Sequence, residues 1–314
     1  MGEVVADVYR ERSTSSVELP FTARPGGAPA NVAVAAARLG VESAFVGRVG
    51  DDLFGDFLLE ALRASGVDTS AILRESPPTR TTLAFVEVSD DGEREFTFYR
   101  SFPAADELLA PADIRSETLS GASFANFGSI PLIKEPARSA TRRFAQLANE
   151  IDVAVAFDVN LRADLWASLD AFREAVDPML DLSAVIKLNE DELSPVLATD
   201  DPGEAADRLL GRGASLVLVS LGAQGAFYAA QAFRGEAPSF PLERVVDATG
   251  AGDAFLAGTL AHLSESPGWP DDEASVREAV RRGNAAGAMA CAKFGAMQGL
   301  PTRDELERFM GVQS

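Results

Sequence analysis

Two hydrophobic periods divide the chain. Short apolar runs, among them Ser123–Gly128, Val153–Phe157, Ala184–Leu188 and Leu216–Val219, end in polar residues or glycine, as strands buried on both faces do. Glu3–Val8 and Ser43–Val49 read as further strands, the second broken by Gly50-Asp51-Asp52. Between the runs lie stretches with the helical period. Leu53–Ser65 places Phe54, Phe57, Leu58, Ala61 and Leu62 on one face and closes at Gly66. A helix through Arg38 ends at Leu39-Gly40, and Pro136–Asn149, Ala254–Leu263 and Val276–Ala292 are three more. Strands alternating with helices predict an α/β fold around a mostly parallel sheet with helices on both faces.

One segment breaks this alternation. Thr81–Ser89 and Glu93–Arg100, rich in Thr, Phe, Val and Tyr, flank Asp90-Asp91-Gly92 and predict a hairpin. With the N-terminal residues it is expected to form a small β lid, from about 3–18 and 81–102, set in one domain spanning 1–314. A lid of this kind excludes water from a reaction, and an apolar outer face suits a homodimer. Arg10–Pro20 reads as irregular, and Pro25–Asn31 as a turn-rich loop entering a helix.

Polar residues and glycines collect where the apolar strands end. Asp158, Asn160, Arg162 and Trp166 follow one strand, Asn189, Glu190 and Glu192 follow another that bears Lys187, and Ser220, Gly222 and Gly225 follow a third. In open parallel sheets the crevice outside the carboxyl ends of the strands binds ligands. The run Val245-Val246-Asp247-Ala248-Thr249-Gly250-Ala251-Gly252-Asp253-Ala254-Phe255 joins them. Its glycines open a helix whose first amides lack intrahelical acceptors, a ready site for phosphate. A carboxylate there, Asp253, would repel a phosphate unless it removed a proton from an attacking hydroxyl. The simpler alternative is a helix-capping Asp.

Composition narrows the classes. Of 314 residues, 48 are Asp or Glu and 28 Lys or Arg, a net charge of −20. Nucleic acid and anionic membranes are unsuitable partners for such a chain. Apolar runs are too short for a transmembrane helix, and no basic-then-apolar leader opens the sequence. Cys291 is the only cysteine and His262 the only histidine. That excludes an internal disulfide and multi-histidine metal sites, and makes a cytoplasmic location the expectation. Three lysines stand against 25 arginines, which with the acid excess suggests a halophilic, salt-adapted protein, with coding bias toward arginine as the alternative cause. No G-x-x-x-x-G-K-[ST] run occurs, which argues against a P-loop enzyme.

Several motifs resemble those of the ribokinase-like, or PfkB, carbohydrate kinases. Gly26-Gly27-Ala28-Pro29-Ala30-Asn31, running on to Leu39-Gly40, is similar to the family's first signature, and the Val245–Phe255 run to its second. Arg94–Arg100 with Asp106-Glu107-Leu108-Leu109 resembles the fructokinases within the family. The likeness covers essentially the whole chain and implies a ribokinase-like, Rossmann-type fold. It implies ATP as phosphoryl donor, Mg²⁺ and in many members K⁺, with fructose the best substrate match. It assigns Asp253 as catalytic base and the Gly250, Ala251 and Gly252 amides, with Arg162, as the anion hole. Asp7, Gly27, Asn31, Phe98, Arg100 and Asn160 would hold the sugar. Lys187, Asn189, Ser220, Gly222, Gly225, Asn284 and Ala288 would bind nucleotide. Asn189 and Glu192 would govern magnesium through water, and Asp247 and Thr249 a monovalent cation. A 2-keto-3-deoxygluconate kinase shares much of the pattern. Arg100, Arg162 and Arg24 leave open whether an acid substrate finds a cation. A catalytically idle sugar or nucleotide sensor is the alternative outside enzymes.

Overall fold

In the computed structural model, residues 1–11, 17–88, 94–101 and 103–312 are described. In chain order the strands and helices are β1 (Val5–Arg10), β2 (Phe21–Gly26), α1 (Ala28–Arg38), β3 (Ser43–Ala44), β4 (Gly47–Gly50), α2 (Leu53–Ala64), β5 (Val67–Asp68), β6 (Ile72–Glu75), β7 (Leu83–Val88) and β8 (Arg94–Tyr99). They continue as β9 (Phe124–Gly128), α3 (Ala137–Glu150), β10 (Ala154–Asp158), α4 (Leu169–Leu180), β11 (Val185–Asn189), α5 (Glu190–Leu197), α6 (Pro202–Leu210), β12 (Leu216–Ser220), β13 (Ala226–Ala229), β14 (Arg234–Ala237), α7 (Ala251–Ser264), α8 (Glu273–Ala290) and α9 (Arg303–Val312).

The larger sheet has the order β14-β13-β12-β11-β10-β9. Strands β9 to β12 are parallel, and β13 and β14 extend them as an antiparallel edge. The period of two then sorts side chains between two cores. Val155, Phe157, Ile186, Leu188, Val217 and Val219 face the layer containing Phe144 of α3, Phe172 of α4 and Leu209 of α6. Ala156, Val185, Leu216 and Leu218 face the opposite layer, with Val32 of α1, Leu256 of α7 and Val280 of α8. Asp158 and Lys187 fall in the second register, so the alternation itself turns a buried acid and a buried lysine toward α7.

Helix α7 is buried on nearly all sides, which suits its uniformly apolar sequence. Small residues let α8 lie close against it. A Cβ on Gly283 would stand 2.3 Å from Thr259 Oγ1, and one on Gly258 would stand 3.1 Å from the Gly283 Cα.

The smaller sheet has the order β2-β1-β7-β8. Here the sequence reading needs correction. The residues around Pro25, expected to be loop, form β2, which pairs antiparallel with β1 along its whole length. The fourth strand of the lid is therefore Phe21–Gly26, beyond the 3–18 bound expected for the N-terminal part of the lid. Pro25 is tolerated because β2 is an edge strand. Strand β1 begins at Val5 and reaches Arg10, and Ser43–Val49 divides into the two short strands β3 and β4. The short strands β5 and β6 and the antiparallel pair β13 and β14 were not anticipated. The Asp90-Asp91-Gly92 turn lies outside the described residues, but β7 and β8 pair antiparallel as its flanks require. Ahead of β1, the Met1 amine donates to Asn126 O of β9 (2.8 Å) and the Gly2 amide to Val46 O (3.1 Å).

Candidate active site

The parallel strands end together. Asp158 is level with Gly128 and Lys187, and Asn189 with Ser220. Beyond them a cleft of about 690 Å³ is bounded on its far side by the small sheet and at its base by the start of α7. Its lining includes Asp7, Gly27, Asn31, Phe98, Arg100, Asn160, Arg162, Lys187, Asn189, Ser220, Asp247, Thr249, Gly250, Gly252 and Asp253. Residues scattered over most of the sequence thus meet in one place.

The α7 end of the cleft is built for an anion. Gly250 caps the helix at φ 79°, ψ 1°, a left-handed conformation that glycine adopts without strain. A Cβ on Gly252 would stand 3.1 Å from Lys187 Nζ, so the ammonium lies against the helix start, where the dipole already favours negative charge. Lys187 is buried and pairs with Asp158 at 3.0 Å. Burial works against its charge, but Asp158 and then Glu192 outweigh burial and hold the ammonium above the usual lysine range. The second oxygen of Asp158 has no hydrogen-bond partner among the described residues.

Asp253 is not a helix cap. Its carboxylate lies within the first turn of α7, 8% exposed, and Oδ2 accepts from Asn31 Nδ2 at 2.8 Å. Burial, reinforced by Asp158, pushes its pKa up to about 6, against the opposing pull of Asn31, Lys187 and Arg162. The carboxyl is therefore a stronger base than an exposed aspartate while remaining ionised near neutrality.

The small sheet supplies the opposite wall. Asp7, Ala84 and Phe98 are cross-strand neighbours in one row, and all three line the cleft. Gly26 and Gly27 leave room for this wall. A Cβ on Gly26 would stand 2.2 Å from Asp7 Oδ2, and one on Gly27, at φ 104°, would stand 2.6 Å from the Glu3 carbonyl oxygen. Arg100 lies over the Phe98 ring at 5.5 Å and pairs with Asp106 (3.3 Å) and Glu107 (3.2 Å). Arg24 is elsewhere, between the Tyr9 and Phe294 rings and directed at Phe294 O.

Other anticipated residues take different positions. Glu192 accepts from the Asn189 amide (2.9 Å) and the Leu161 amide (2.7 Å), while Asn189 Oδ1 accepts from the Glu192 amide. This reciprocal capping box fixes Asn189 at the cleft and places a backbone amide on each Glu192 oxygen. Among the described residues no group of three or more His, Cys, Asp or Glu side chains is arranged to hold a metal ion. Asp247 accepts from the Thr249 amide (2.7 Å) and the Gly295 amide (2.8 Å), pinning the glycine-rich turn to the segment after α8. Asn284 donates to Ala237 O (2.8 Å) and Pro238 O (3.2 Å). Ala288 is buried in α8. Neither lines the cleft, nor do Gly222, Gly225, Ala251 and Glu192. The small residues of α8 serve packing against α7. A second cavity of about 330 Å³, between α1, α7 and β9, has a mixed lining that includes Val32, Phe124 and Leu260 with Glu42, Ser123 and Asn126.

Sequence reasoning gave no role to Glu3, which lines the cleft and is 3% exposed. The signal was present. Glu3, Val5 and Asp7 alternate onto one face, and Asp7 was already assigned there.

A parallel α/β core with a glycine-rich helix start and a buried carboxylate facing a small-sheet wall is the architecture of the ribokinase-like proteins. The chain belongs to the pfkB family of carbohydrate kinases, whose model matches residues 1–303. Fructokinase-1 of Oryza sativa subsp. japonica is 41% identical over 312 residues, covering 98% of this chain and 96% of that protein. A fructokinase from Vibrio cholerae O395, solved in a fructose, ADP and calcium ion bound form, superposes with a TM-score of 0.88 at 35% identity, covering 98% and 96% of the two chains. An aminoimidazole riboside kinase from Salmonella enterica, complexed with aminoimidazole riboside and an ATP analog, gives 0.84 at 34% identity, covering 99% and 98%.

Proposed function

We propose that this carbohydrate kinase transfers the γ-phosphoryl group of MgATP to a primary hydroxyl of a neutral sugar, and that fructose is that sugar. The observation that carries the reading is Asp253. It is a buried carboxylate with its pKa pushed up to about 6, in the first turn of a helix, hydrogen-bonded to Asn31 and close to Lys187. A general base needs this raised basicity.

The roles follow from position. Asp7, Asn31, Asn160 and Arg100 hold the sugar hydroxyls, and Phe98 gives the ring an apolar wall. Asp253 takes the proton of the attacking hydroxyl. The amides at Gly250–Gly252, with Arg162, stabilise charge on the transferring group. Lys187, Asn189 and Ser220 face the nucleotide side. Asn189, at the nucleotide side of the cleft, would hold magnesium through water, and the ion would neutralise charge on the triphosphate. The small sheet acts as a lid that keeps water from the phosphoryl group.

Two lines of support select fructose. Relatives similar over nearly the full length are named fructokinases. Moreover, the sugar end is acidic. Glu3, Asp7 and Asp253 line it, and Arg100 beside them is shared by Asp106 and Glu107. A keto acid would bring a further carboxylate into this acidic wall, with Arg100 already matched and Arg162 facing Asp253, which disfavours 2-keto-3-deoxygluconate. The test is ADP release from MgATP with fructose, ketodeoxygluconate, ribose, aminoimidazole riboside and adenosine, at low and molar KCl. Selective turnover of fructose supports the reading. Selective turnover of the keto acid overturns the neutral-sugar assignment, and sugar binding without turnover of any acceptor overturns the kinase.

A further inference from the structure

Glu3 is a buried acid of the cleft to which the proposed reaction gives no task. It lines both the sugar end of the main cleft and a small adjoining pocket that contains Arg100, Asp106, Glu107 and Lys134. It is 3% exposed, and its Oε2 has no hydrogen-bond partner among the described residues. Its backbone is confined, because Gly27 packs so closely on the Glu3 carbonyl that a Cβ there would stand 2.6 Å away. Glu3 stands two residues ahead of β1, and its side chain is held away from solvent.

The neighbouring cations are already matched. Arg100 pairs with Asp106 and Glu107, and Lys134 pairs with Glu107 at 3.0 Å. The Arg100 Nε is nonetheless buried without an acceptor. One wall of the cleft thus holds a donor and a carboxyl oxygen, both unsatisfied. Buried polar groups are rarely left so. Adjacent hydroxyls of a sugar meet both needs, since each hydroxyl donates and accepts.

We propose that Glu3 is a sugar-binding residue whose free carboxyl oxygen takes one substrate hydroxyl beside Arg100, and that it thereby helps to select a neutral polyhydroxylated sugar. This rests on the kinase reading above. Burial pushes the Glu3 carboxyl up to about 7; Asp106 and Asp253 add to the shift and Arg100 opposes it. The other charged groups facing it are the Met1 amine two residues before it, Asp7 from β1, Glu107 beside Asp106, and Lys134 ahead of α3. Near neutrality the carboxyl therefore passes between a form that donates and accepts and a form that only accepts.

Steady-state kinetics of Glu3→Ala and Glu3→Gln, at about pH 6 and about pH 8, test this. Glu3→Ala is expected to raise the fructose KM about tenfold or more while moving the ATP KM less than about twofold. Glu3→Gln, which keeps a donor and an acceptor, is expected to recover most of that loss. It should also flatten the dependence of the sugar KM on pH. If both variants leave the sugar KM within about twofold of the parent, or raise both KM values alike, Glu3 does not bind the sugar. Should Glu3→Ala fail to fold, the pH profile of Glu3→Gln and calorimetric fructose titration of the parent decide. Proton exchange on binding that Glu3→Gln abolishes supports the proposal, and exchange unchanged in the variant overturns it. Failure of the kinase reading is separately visible, as a parent protein that turns over no sugar.

Discussion

Asn31, in the first helix of the chain, donates to Asp253, in the seventh, across 222 residues of sequence at 2.8 Å. This bond joins the two glycine-rich segments and fixes one oxygen of the carboxylate, leaving the other to the cleft. It also stabilises the ionised form and so opposes the burial that raises the pKa.

The first expectation concerns pH. A base must be ionised to act, so kcat should fall as pH drops through about 6, the value for Asp253. Removing the Asn31 donor leaves burial less opposed. Asn31→Ala is therefore expected to move the acidic limb to higher pH, besides weakening sugar binding. A pH–kcat profile of the variant with its limb unmoved or lowered would separate Asn31 from the base.

A second expectation follows from the Lys187–Asp158 pair. Replacing one member leaves the other charged and buried, which costs about 3–5 kcal/mol. Lys187→Met should therefore lower stability by that order, measured by denaturant unfolding. The double variant Lys187→Met/Asp158→Asn should regain most of the stability but not the ATP affinity, because the ammonium beside Gly252 is gone. ATP affinity restored along with stability would mean the pair serves the fold alone.

Arg100 should act on the sugar rather than the nucleotide. Arg100→Ala is expected to raise the sugar KM by about tenfold, with a smaller change in the ATP KM. An unchanged sugar KM removes Arg100 from the sugar site.

The outer face of the small sheet bears on assembly. Phe21 and Phe85 meet edge to face at 5.2 Å and Phe85 and Tyr99 at 4.7 Å, with Phe21 41% and Tyr99 61% exposed. Such a cluster suits a homodimer through the lid. Light scattering should give a dimer mass for the parent and a monomer mass for Phe21→Glu/Tyr99→Glu. A monomeric parent, or a dimer untouched by the substitutions, rules this interface out.

Much of the architecture was legible because the core strands repeat one simple pattern. Val155 to Phe157 and Leu216 to Val219 are apolar on both faces, and only a strand sandwiched between helix layers needs that. The glycine-rich turn before Asp253 and the Asn31 helix were equally visible, since few other functions explain glycines at a helix start. Strand β2 was hidden by Pro25 and Gly26, which usually mark turns but are tolerated on an edge and needed here to clear Asp7. Glu3 was passed over because its neighbours Val4 and Val5 are apolar, although alternation placed it beside Asp7. The α8 residues Asn284 and Ala288, expected at the nucleotide, lie outside the cleft lining. Small residues permit close approach of any neighbour, and the neighbour is α7. The capping box at Asn189 and Glu192 was not legible, because in sequence it looks the same as a pair of metal-governing groups.

The most direct measurement compares the parent with Asp253→Asn in ADP release from MgATP and fructose at a pH well above 6, with ATP binding measured in parallel. The expected result is fructose-dependent turnover in the parent, a fall in kcat of about 100- to 10,000-fold in the variant, and ATP affinity kept within a few-fold. Near-parental turnover in Asp253→Asn would contradict the assignment of the base and, with it, the mechanism built on the start of α7.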